Sequence, residues 1–224
     1  PGADKDDMKN YRPISNITFV GKVIEKVIAR QLVNYLHANG LHDPPQSNYK
    51  KGHSCETALI RIKADCECLL DSGDAVLLVL LDLSAAFDTV DHEVLLKRLE
   101  NEVGIGQVAW KWLRSYLTGR RQSVLVADCL SSTCDLTIGV PQGSVLGPLL
   151  FLCYILPLKD IIARHGINQH GYADDTQLYC KLSVKNPSVL SKQVRTMERC
   201  TSDVRIWMRE NRLKVNDSKT EGMV

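Results

Sequence analysis

The sequence has no hydrophobic run long enough to cross a lipid bilayer. Its two longest runs are Ala75–Leu81 and Val145–Leu158, and the second is interrupted by Gly147, Pro148 and Pro157. A membrane-spanning helix needs roughly 20 consecutive apolar residues. The chain also lacks the basic, apolar and small-residue regions of a signal peptide at its start. We therefore expect an intracellular protein that has no membrane partner.

An excess of one charge and paired cysteine motifs are missing as well. The net charge is +2, so a nucleic-acid-binding surface would have to come from the placement of basic residues. The eight cysteines form no CxxC pair, and the single residue between Cys66 and Cys68 is a poor zinc spacing. Several cysteines lie in apolar runs, where a thiol behaves as a small hydrophobe. We expect reduced, structural thiols.

Fingerprints of common nucleotide-binding and hydrolytic sites are absent too. The sequence contains nothing that resembles a Walker A loop, a Rossmann glycine pattern or a Ser-His-Asp set. Its 224 residues allow one domain or two tightly joined lobes. The chain begins at Pro1 rather than at a methionine and ends at Val224 within an apolar pattern. We expect it to be a segment of a longer protein.

The apolar periodicity predicts an α+β fold with a mostly antiparallel sheet backed by helices. The run from Ala75 to Leu83 does not alternate and predicts a strand buried on both faces. Helices are predicted over residues 21–38, 56–70, 107–118 and 188–211. Another helix is predicted to begin at a cap formed by Asp91 or Thr89 and to run through Glu100. A further helix is predicted after Gly143, and Pro157 should end or kink it. The first helix has apolar residues at helical spacing: Val23, Ile24, Val27, Ile28, Leu32 and Leu36. Further strands are predicted as two pairs, 121–127 with 133–138 and 168–173 with 177–183.

Three aspartates stand at the ends of these predicted strands. Asp174 and Asp175 occupy the tip of the second hairpin, where two adjacent like charges repel unless a cation neutralises them. An isolated Asp-Asp pair is more often an ordinary turn. Asp82 changes that balance, because a charge at the end of a buried strand is costly unless it is paired or bound to metal. If the two strand ends are neighbours, the three carboxylates form a site for a hard cation such as Mg²⁺, which also binds phosphates.

Five blocks of the sequence resemble the motifs of reverse transcriptases, in the order of that family. Leu81–Asp88 resembles motif A, Gly139–Ser144 motif B and Tyr172–Asp175 motif C. Tyr11–Ser15 resembles the first fingers block of LINE-type enzymes, and Trp207–Lys219 resembles motif D. From the first block to the last, they span nearly the whole chain. The segments LDLSAAFDTVDH and GVPQGSVLGPLLF are most similar to non-LTR retrotransposons of the Jockey or CR1 kind.

The resemblance implies a right-hand polymerase palm with fingers, the thumb being absent from this segment. The palm would comprise residues of about 76–103 and 140–224, and the fingers those of about 1–75 and 104–139. A thumb and an endonuclease domain would belong to the same polyprotein. The implied activity is RNA-directed DNA polymerisation, with an RNA template, a DNA primer and dNTPs as partners. Such an enzyme would act in the cytoplasm and nucleus of a eukaryotic cell.

The resemblance also implies a metal site. Asp82, Asp174 and Asp175 would be the catalytic acids and the metal ligands, helped by the backbone carbonyl of Leu83. Two Mg²⁺ ions, for which Mn²⁺ could substitute, would activate the primer 3′-hydroxyl and stabilise the pyrophosphate leaving group.

Five further residues would contact the nucleotide. Phe87 would lie under its sugar and leave no room for a 2′-hydroxyl, although outside the motif plain core packing would be preferred. Gln142 and Gly143 would form the floor near the nascent base pair, since glycine allows close backbone approach. Arg12 would reach the triphosphate. Lys219 is either a proton donor to pyrophosphate or an ordinary solvated lysine.

Two departures from the family pattern keep a rival interpretation open. In the second fingers block, Asn48 replaces a glycine and Lys50 replaces an arginine. After motif B, Tyr154–Pro157 is apolar where the family often has Asn-Asp. The alternative is a catalytically decayed palm fragment that only binds RNA or a protein. An RNA-dependent RNA polymerase is disfavoured by Phe87 and by the Pro-Gln-Gly block.

Overall fold

The computed structural model describes residues 11–41, 45–48, 52–70, 73–126 and 128–224. The helices within these ranges are α1 (Phe19–Ala38), α2 (Cys55–Leu70), α3 (His92–Asn101), α4 (Gln107–Leu117), α5 (Gly147–Ile155), α6 (Leu158–Arg164) and α7 (Pro187–Glu210). The strands are β1 (Ala75–Leu81), β2 (Arg120–Gln122), β3 (Leu125–Val126), β4 (Cys129–Leu130), β5 (Cys134–Leu136), β6 (Asn168–Tyr172), β7 (Asp175–Leu182) and β8 (Glu221–Met223). Lys50, which replaces an arginine of the family's second fingers block, lies outside the described residues.

The main sheet is antiparallel and is built around β1. Its strand order is β6-β7-β1-β8, with Leu81 of β1 opposite Thr176 of β7. Strands β6 and β7 form the hairpin that the sequence predicts. Among the residues of β1, Leu77 and Val79 pack against the core and Leu81 is fully buried. The other face of the sheet is only partly covered, so the prediction of a strand buried on both faces holds in part.

Helices α3, α5, α6 and α7 pack together with one face of the sheet around the main core. Phe151, Leu95 and Leu178 are fully buried there, and each large apolar side chain removed from water contributes roughly 1.5–3 kcal/mol. Helix α2 contacts the opposite face, where Tyr179 donates a hydrogen bond to Asp65 at 2.5 Å. The α+β architecture predicted from the sequence is confirmed.

The helix boundaries follow the local sequence signals. Asp91, rather than Thr89, caps α3, because its carboxylate accepts hydrogen bonds from the N–H groups of Glu93 and Val94 at 2.9 and 3.0 Å. Pro157 separates α5 from α6, as the sequence predicts. No helix in the described ranges is both long and apolar enough to span a membrane.

The predicted apolar stripe of α1 is confirmed only in part, because Ile28, Leu32 and Leu36 pack in or against the core whereas the first half of the stripe does not. Val23 and Val27 remain 45% and 46% exposed, whereas Glu25 is buried. The Glu25 carboxylate accepts a hydrogen bond from the Tyr116 hydroxyl at 2.9 Å and one from the Val145 N–H at 2.6 Å. Burial raises the pKa of Tyr116 to about 12. These two hydrogen bonds join the first half of α1 to α4 and to the segment before α5.

The predicted strand over residues 121–127 is divided in two. Its first part, β2, pairs with β5, and its second part, β3, pairs with β4 in a separate hairpin. Asp128 has a φ of +66° in the turn of that hairpin. Leu125 and Val126 are exposed, so no buried face selects one long pairing.

Candidate active site

All three predicted acids lie at the same edge of the main sheet, where Asp175 begins β7. Asp82 follows β1 directly, and Asp174 lies in the turn between β6 and β7. Because β1 and β7 are paired neighbours, Asp82 and Asp174 line one cleft of about 830 Å³. Eight of the nine predicted site residues line this cleft: Arg12, Asp82, Leu83, Phe87, Gln142, Gly143, Asp174 and Lys219.

The ninth residue, Asp175, is exposed at the first position of β7. Although the residue is exposed, neighbouring protein atoms displace part of the water around its carboxylate, and this partial desolvation is the main cause of its raised pKa. The negative charges of Asp174 and Asp82 raise the pKa further. Lys219 opposes this rise. Asp175 is therefore electrostatically linked to the cleft, although its side chain does not line it.

Asp174 has a raised pKa as well, first because it is partly buried and then because of the Asp82 charge. Its backbone hydrogen bond and Arg12 act in the opposite direction. The residues that the structure describes contain no group of three or more His, Cys, Asp or Glu side chains arranged to hold a metal ion. The chemistry of the donors nevertheless suits a hard cation, because a positive charge would relieve the repulsion among the carboxylates.

Gln46 fixes the turn that carries Asp174 and Asp175. Its side-chain Oε1 accepts from the Ala173 N–H at 3.1 Å, and its Nε2 donates to the Ala173 carbonyl at 3.2 Å. Ala173 has a φ of +59°, a left-handed conformation that is costly for a residue with a Cβ. A Cβ at Gly171 would lie 2.8 Å from Gln46 Nε2, so this close approach requires glycine.

The floor of the cleft is formed by contacts between the blocks that resemble motifs A and B. Gln142 Nε2 donates to both carboxylate oxygens of Asp88, at 3.0 and 2.9 Å. The Gln142 carbonyl accepts from the Ser15 N–H at 2.8 Å, which brings the first fingers block onto motif B. Gly143 has a φ of +89°, and this backbone conformation accounts for the glycine.

Phe87 faces both the cleft and the core. Its ring lies 5.0 Å from the Phe151 ring, centroid to centroid, and the same side chain lines the cleft. The two interpretations made from the sequence, core packing and contact with a nucleotide, are therefore compatible.

Two exposed cations approach the acids, Arg12 near Asp174 and Lys219 near Asp175. Asn216 also lines the cleft and donates a hydrogen bond from Nδ2 to Asp82 Oδ2 at 3.0 Å. Asn216 lies within the block that resembles motif D, and Gln46 lies two residues before Asn48 in the second fingers block, but the family resemblance implies no role for either residue. Their contacts join residues 134 and 127 positions apart, which no local pattern reveals.

Residues 3–224 match the family described as reverse transcriptase (RNA-dependent DNA polymerase). The chain belongs to the reverse transcriptase family. The family resemblance seen in the five sequence blocks is confirmed.

Similar curated sequences include proteins of non-LTR elements from flies. The reverse transcriptase chain is 34% identical to "Probable RNA-directed DNA polymerase from transposon X-element" of Drosophila melanogaster, over 78% of the chain and 19% of that protein. It is 28% identical to the corresponding protein "from transposon BS" of the same species, over 98% of the chain and 24% of that protein. It is 27% identical to "RNA-directed DNA polymerase from mobile element jockey" of Drosophila funebris, over 81% of the chain and 20% of that protein. The chain spans no more than about a quarter of these relatives.

Solved structures with a similar fold include telomerases. Telomerase from Candida albicans in complex with a fragment of telomeric RNA superposes with a TM-score of 0.62 at 14% identity, over 92% of this chain and 35% of that one. Apo telomerase from Candida tropicalis superposes with a TM-score of 0.58 at 12% identity, over 90% of this chain and 36% of that one. At this low identity the likeness shows that the reverse transcriptase chain shares their polymerase fold.

Proposed function

We propose that this chain is the catalytic core of a non-LTR retrotransposon reverse transcriptase, which extends a DNA primer on an RNA template with dNTPs. The observation that carries the proposal is the cleft in which Asp82 and Asp174 lie together with Arg12 and Lys219. In the proposed assignment, residues of about 76–103 and 140–224 form the palm, and those of about 1–75 and 104–139 form the fingers. A thumb and an endonuclease domain of the same polyprotein would complete the enzyme.

Asp82, Asp174 and Asp175 would hold the divalent cations, with the Leu83 carbonyl as a further oxygen donor. Mg²⁺ is the proposed cofactor and Mn²⁺ its substitute, because carboxylate oxygens are ligands for both. When bound, two such ions supply activation of the primer 3′-hydroxyl and neutralisation of the leaving pyrophosphate. The position of Asp82 and Asp174 at one sheet edge supports this assignment.

The nucleotide would lie between the cations and the cleft floor. Arg12 can donate paired hydrogen bonds to phosphate oxygens, and Lys219 can donate a proton to the leaving pyrophosphate. The Phe87 ring, supported by Phe151, would exclude a 2′-hydroxyl and so select dNTPs. Gln142, held by Asp88, and Gly143 would support the nascent base pair.

Binding of the template and primer would depend mainly on backbone phosphates. The net charge of +2 means that the basic side chains near the cleft must supply this attraction. We expect affinity to fall steeply with salt concentration as phosphate counterions are released. The relatives named above are encoded by eukaryotic transposons, which supports activity in the cytoplasm and nucleus.

Primer extension by the full-length protein tests the proposal. An RNA template with a DNA primer is offered dNTPs or rNTPs in Mg²⁺, with wild type, Asp82→Ala, Asp174→Asn and, as a control, Asp160→Asn on the exposed surface of α6. Loss of a catalytic acid should slow extension on the order of 10³-fold, or about 4 kcal/mol of barrier. Asp160→Asn should extend at the wild-type rate.

Two results would contradict the catalytic assignment. One is extension by Asp82→Ala or Asp174→Asn at the wild-type rate. The other is a folded wild-type protein that binds RNA but makes no DNA, which would favour the decayed palm that only binds RNA or protein.

A further inference from the structure

A short segment after α7 runs beside the strand end that carries Asp82. The main-chain N–H of Ser84 donates to the Lys214 carbonyl at 2.9 Å, and Leu83 forms an antiparallel bridge with Val215. The N–H of Asn216 then donates to the Asp82 carbonyl at 2.8 Å. These main-chain contacts continue the sheet pattern beyond β1 and place Asn216 next to Asp82.

The Asn216 side chain adds a hydrogen bond to the Asp82 carboxylate. Nδ2 of Asn216 donates to Oδ2 of Asp82 at 3.0 Å, and both residues are half-buried. The amide orientation follows from the chemistry, because an ionised carboxylate can only accept and the donor end must face it. The Ser218 hydroxyl donates to Asn216 Oδ1 at 2.7 Å and fixes the other end of the amide.

The same asparagine anchors the turn that carries Lys219. The Lys219 N–H and the Thr220 hydroxyl both donate to the Asn216 carbonyl, at 3.1 and 2.9 Å. Lys219 lines the cleft together with Asp82 and Asn216. One residue is therefore bonded to a proposed metal ligand through its side chain and to the lysine turn through its main chain.

We propose that Asn216 is a positioning residue that fixes the Asp82 carboxylate relative to Lys219. This inference rests on the proposed polymerase function, which assigns the acid to cation binding and the lysine to the leaving group. The hydrogen bond restricts rotation of the Asp82 carboxylate. It occupies one of about four lone-pair directions, so the others remain for a cation.

The test uses the full-length protein and three substitutions. Asn216→Ala removes the donor to Asp82, Ser218→Ala removes only the group that orients the amide, and Asn34→Ala is a matched control on the exposed side of α1. The measurements are kcat and KM for dNTP in primer extension, Mn²⁺ affinity by electron paramagnetic resonance, and the melting temperature.

Asn216→Ala should lower kcat and Mn²⁺ affinity by roughly 10- to 100-fold, as is typical when a partner of a metal ligand is removed. The KM for dNTP should change by less than about threefold, because Asn216 is not assigned a contact with the nucleotide. Ser218→Ala should produce a smaller loss of the same two quantities, and Asn34→Ala should change neither.

Values of kcat and Mn²⁺ affinity within about twofold of wild type for Asn216→Ala would overturn the positioning role while leaving the polymerase function intact. If Asn216→Ala fails to fold, Ser218→Ala decides: unchanged kcat and Mn²⁺ affinity would also overturn the role. A wild type that makes no DNA but binds Mn²⁺ would count against the polymerase function alone, and weaker Mn²⁺ binding by Asn216→Ala would then still support the positioning role. A wild type that does not bind Mn²⁺ would overturn both.

Discussion

Replacement of Gln46 by methionine is expected to release the turn that carries Asp174. Gln46 is only 4% exposed, and its amide makes two hydrogen bonds to the main chain of Ala173. Methionine has a similar length but can replace neither bond. A buried polar group left without a partner costs about 1–3 kcal/mol. The two lost bonds should therefore destabilise the turn by about 2–4 kcal/mol after local relaxation.

A second substitution tests whether the hydrogen bonds hold Ala173 in a strained conformation. Its φ of +59° costs a residue with a Cβ about 1–2 kcal/mol. Glycine adopts this conformation readily. Ala173→Gly in the Gln46→Met background should therefore recover about 1 kcal/mol, because the turn can keep its shape at a lower cost.

Hydrogen exchange of the full-length protein measures both effects. The amide of residue 173 should exchange about 30-fold faster, or more, in Gln46→Met, since 1.4 kcal/mol corresponds to tenfold. Ala173→Gly should reverse part of that increase. Gln31→Met, at an exposed position of α1, serves as the control. An unchanged exchange rate in Gln46→Met would refute the reasoning.

Two further predictions concern the cleft wall and the core. Phe87→Ala should lower the preference for dNTPs over rNTPs by roughly 10- to 100-fold in primer extension, because it removes the ring that we propose excludes a 2′-hydroxyl. An unchanged preference would leave Phe87 a core residue only. Cys153 is 2% exposed, and burial also raises the pKa of its thiol. At pH 8 its alkylation in the folded protein should therefore be at least about 100-fold slower than that of the exposed Cys68, because reagent reaches the buried thiol only when the core opens locally. Mass spectrometry of the labelled peptides measures the rates, guanidinium-unfolded protein is the control, and equal rates in the folded protein would contradict the burial of Cys153.

The sequence predicted the features whose signals are local. The continuous apolar run that leads to Asp82 predicted β1. The two predicted strands on either side of Asp174 predicted the hairpin of β6 and β7, and Pro157 predicted the break between α5 and α6. These predictions succeeded because strand preference, turn chemistry and the missing N–H of proline act over a few residues. The ordered blocks also identified the reverse transcriptase family.

The weaker predictions concern segments whose conformation depends on distant partners. The strand β8 was not predicted, since it gains its pairing only by lying against β1. The division of 121–127 into β2 and β3 was missed because neither strand has a buried face to give a pattern. The inward side of α1 was predicted only in part: Leu32 lies in the core, but the burial of Glu25 depends on Tyr116 and the Val145 N–H, which are distant in sequence.

The sequence by itself determined which residue types could perform the chemistry: three aspartates, a phenylalanine, a glutamine and two basic side chains within recognisable blocks. Tertiary structure decided which of them meet, since Asp82 and Asp174 share a cleft only through the pairing of β1 with β7. It also decided that Asp175 stands at the margin and that Gln46 and Asn216 support the acids. The hydrogen bonds from Gln46 to Ala173 and from Asn216 to Asp82 each join residues more than 120 positions apart. Such partners are brought together only when the whole chain folds, so no local sequence pattern indicates them.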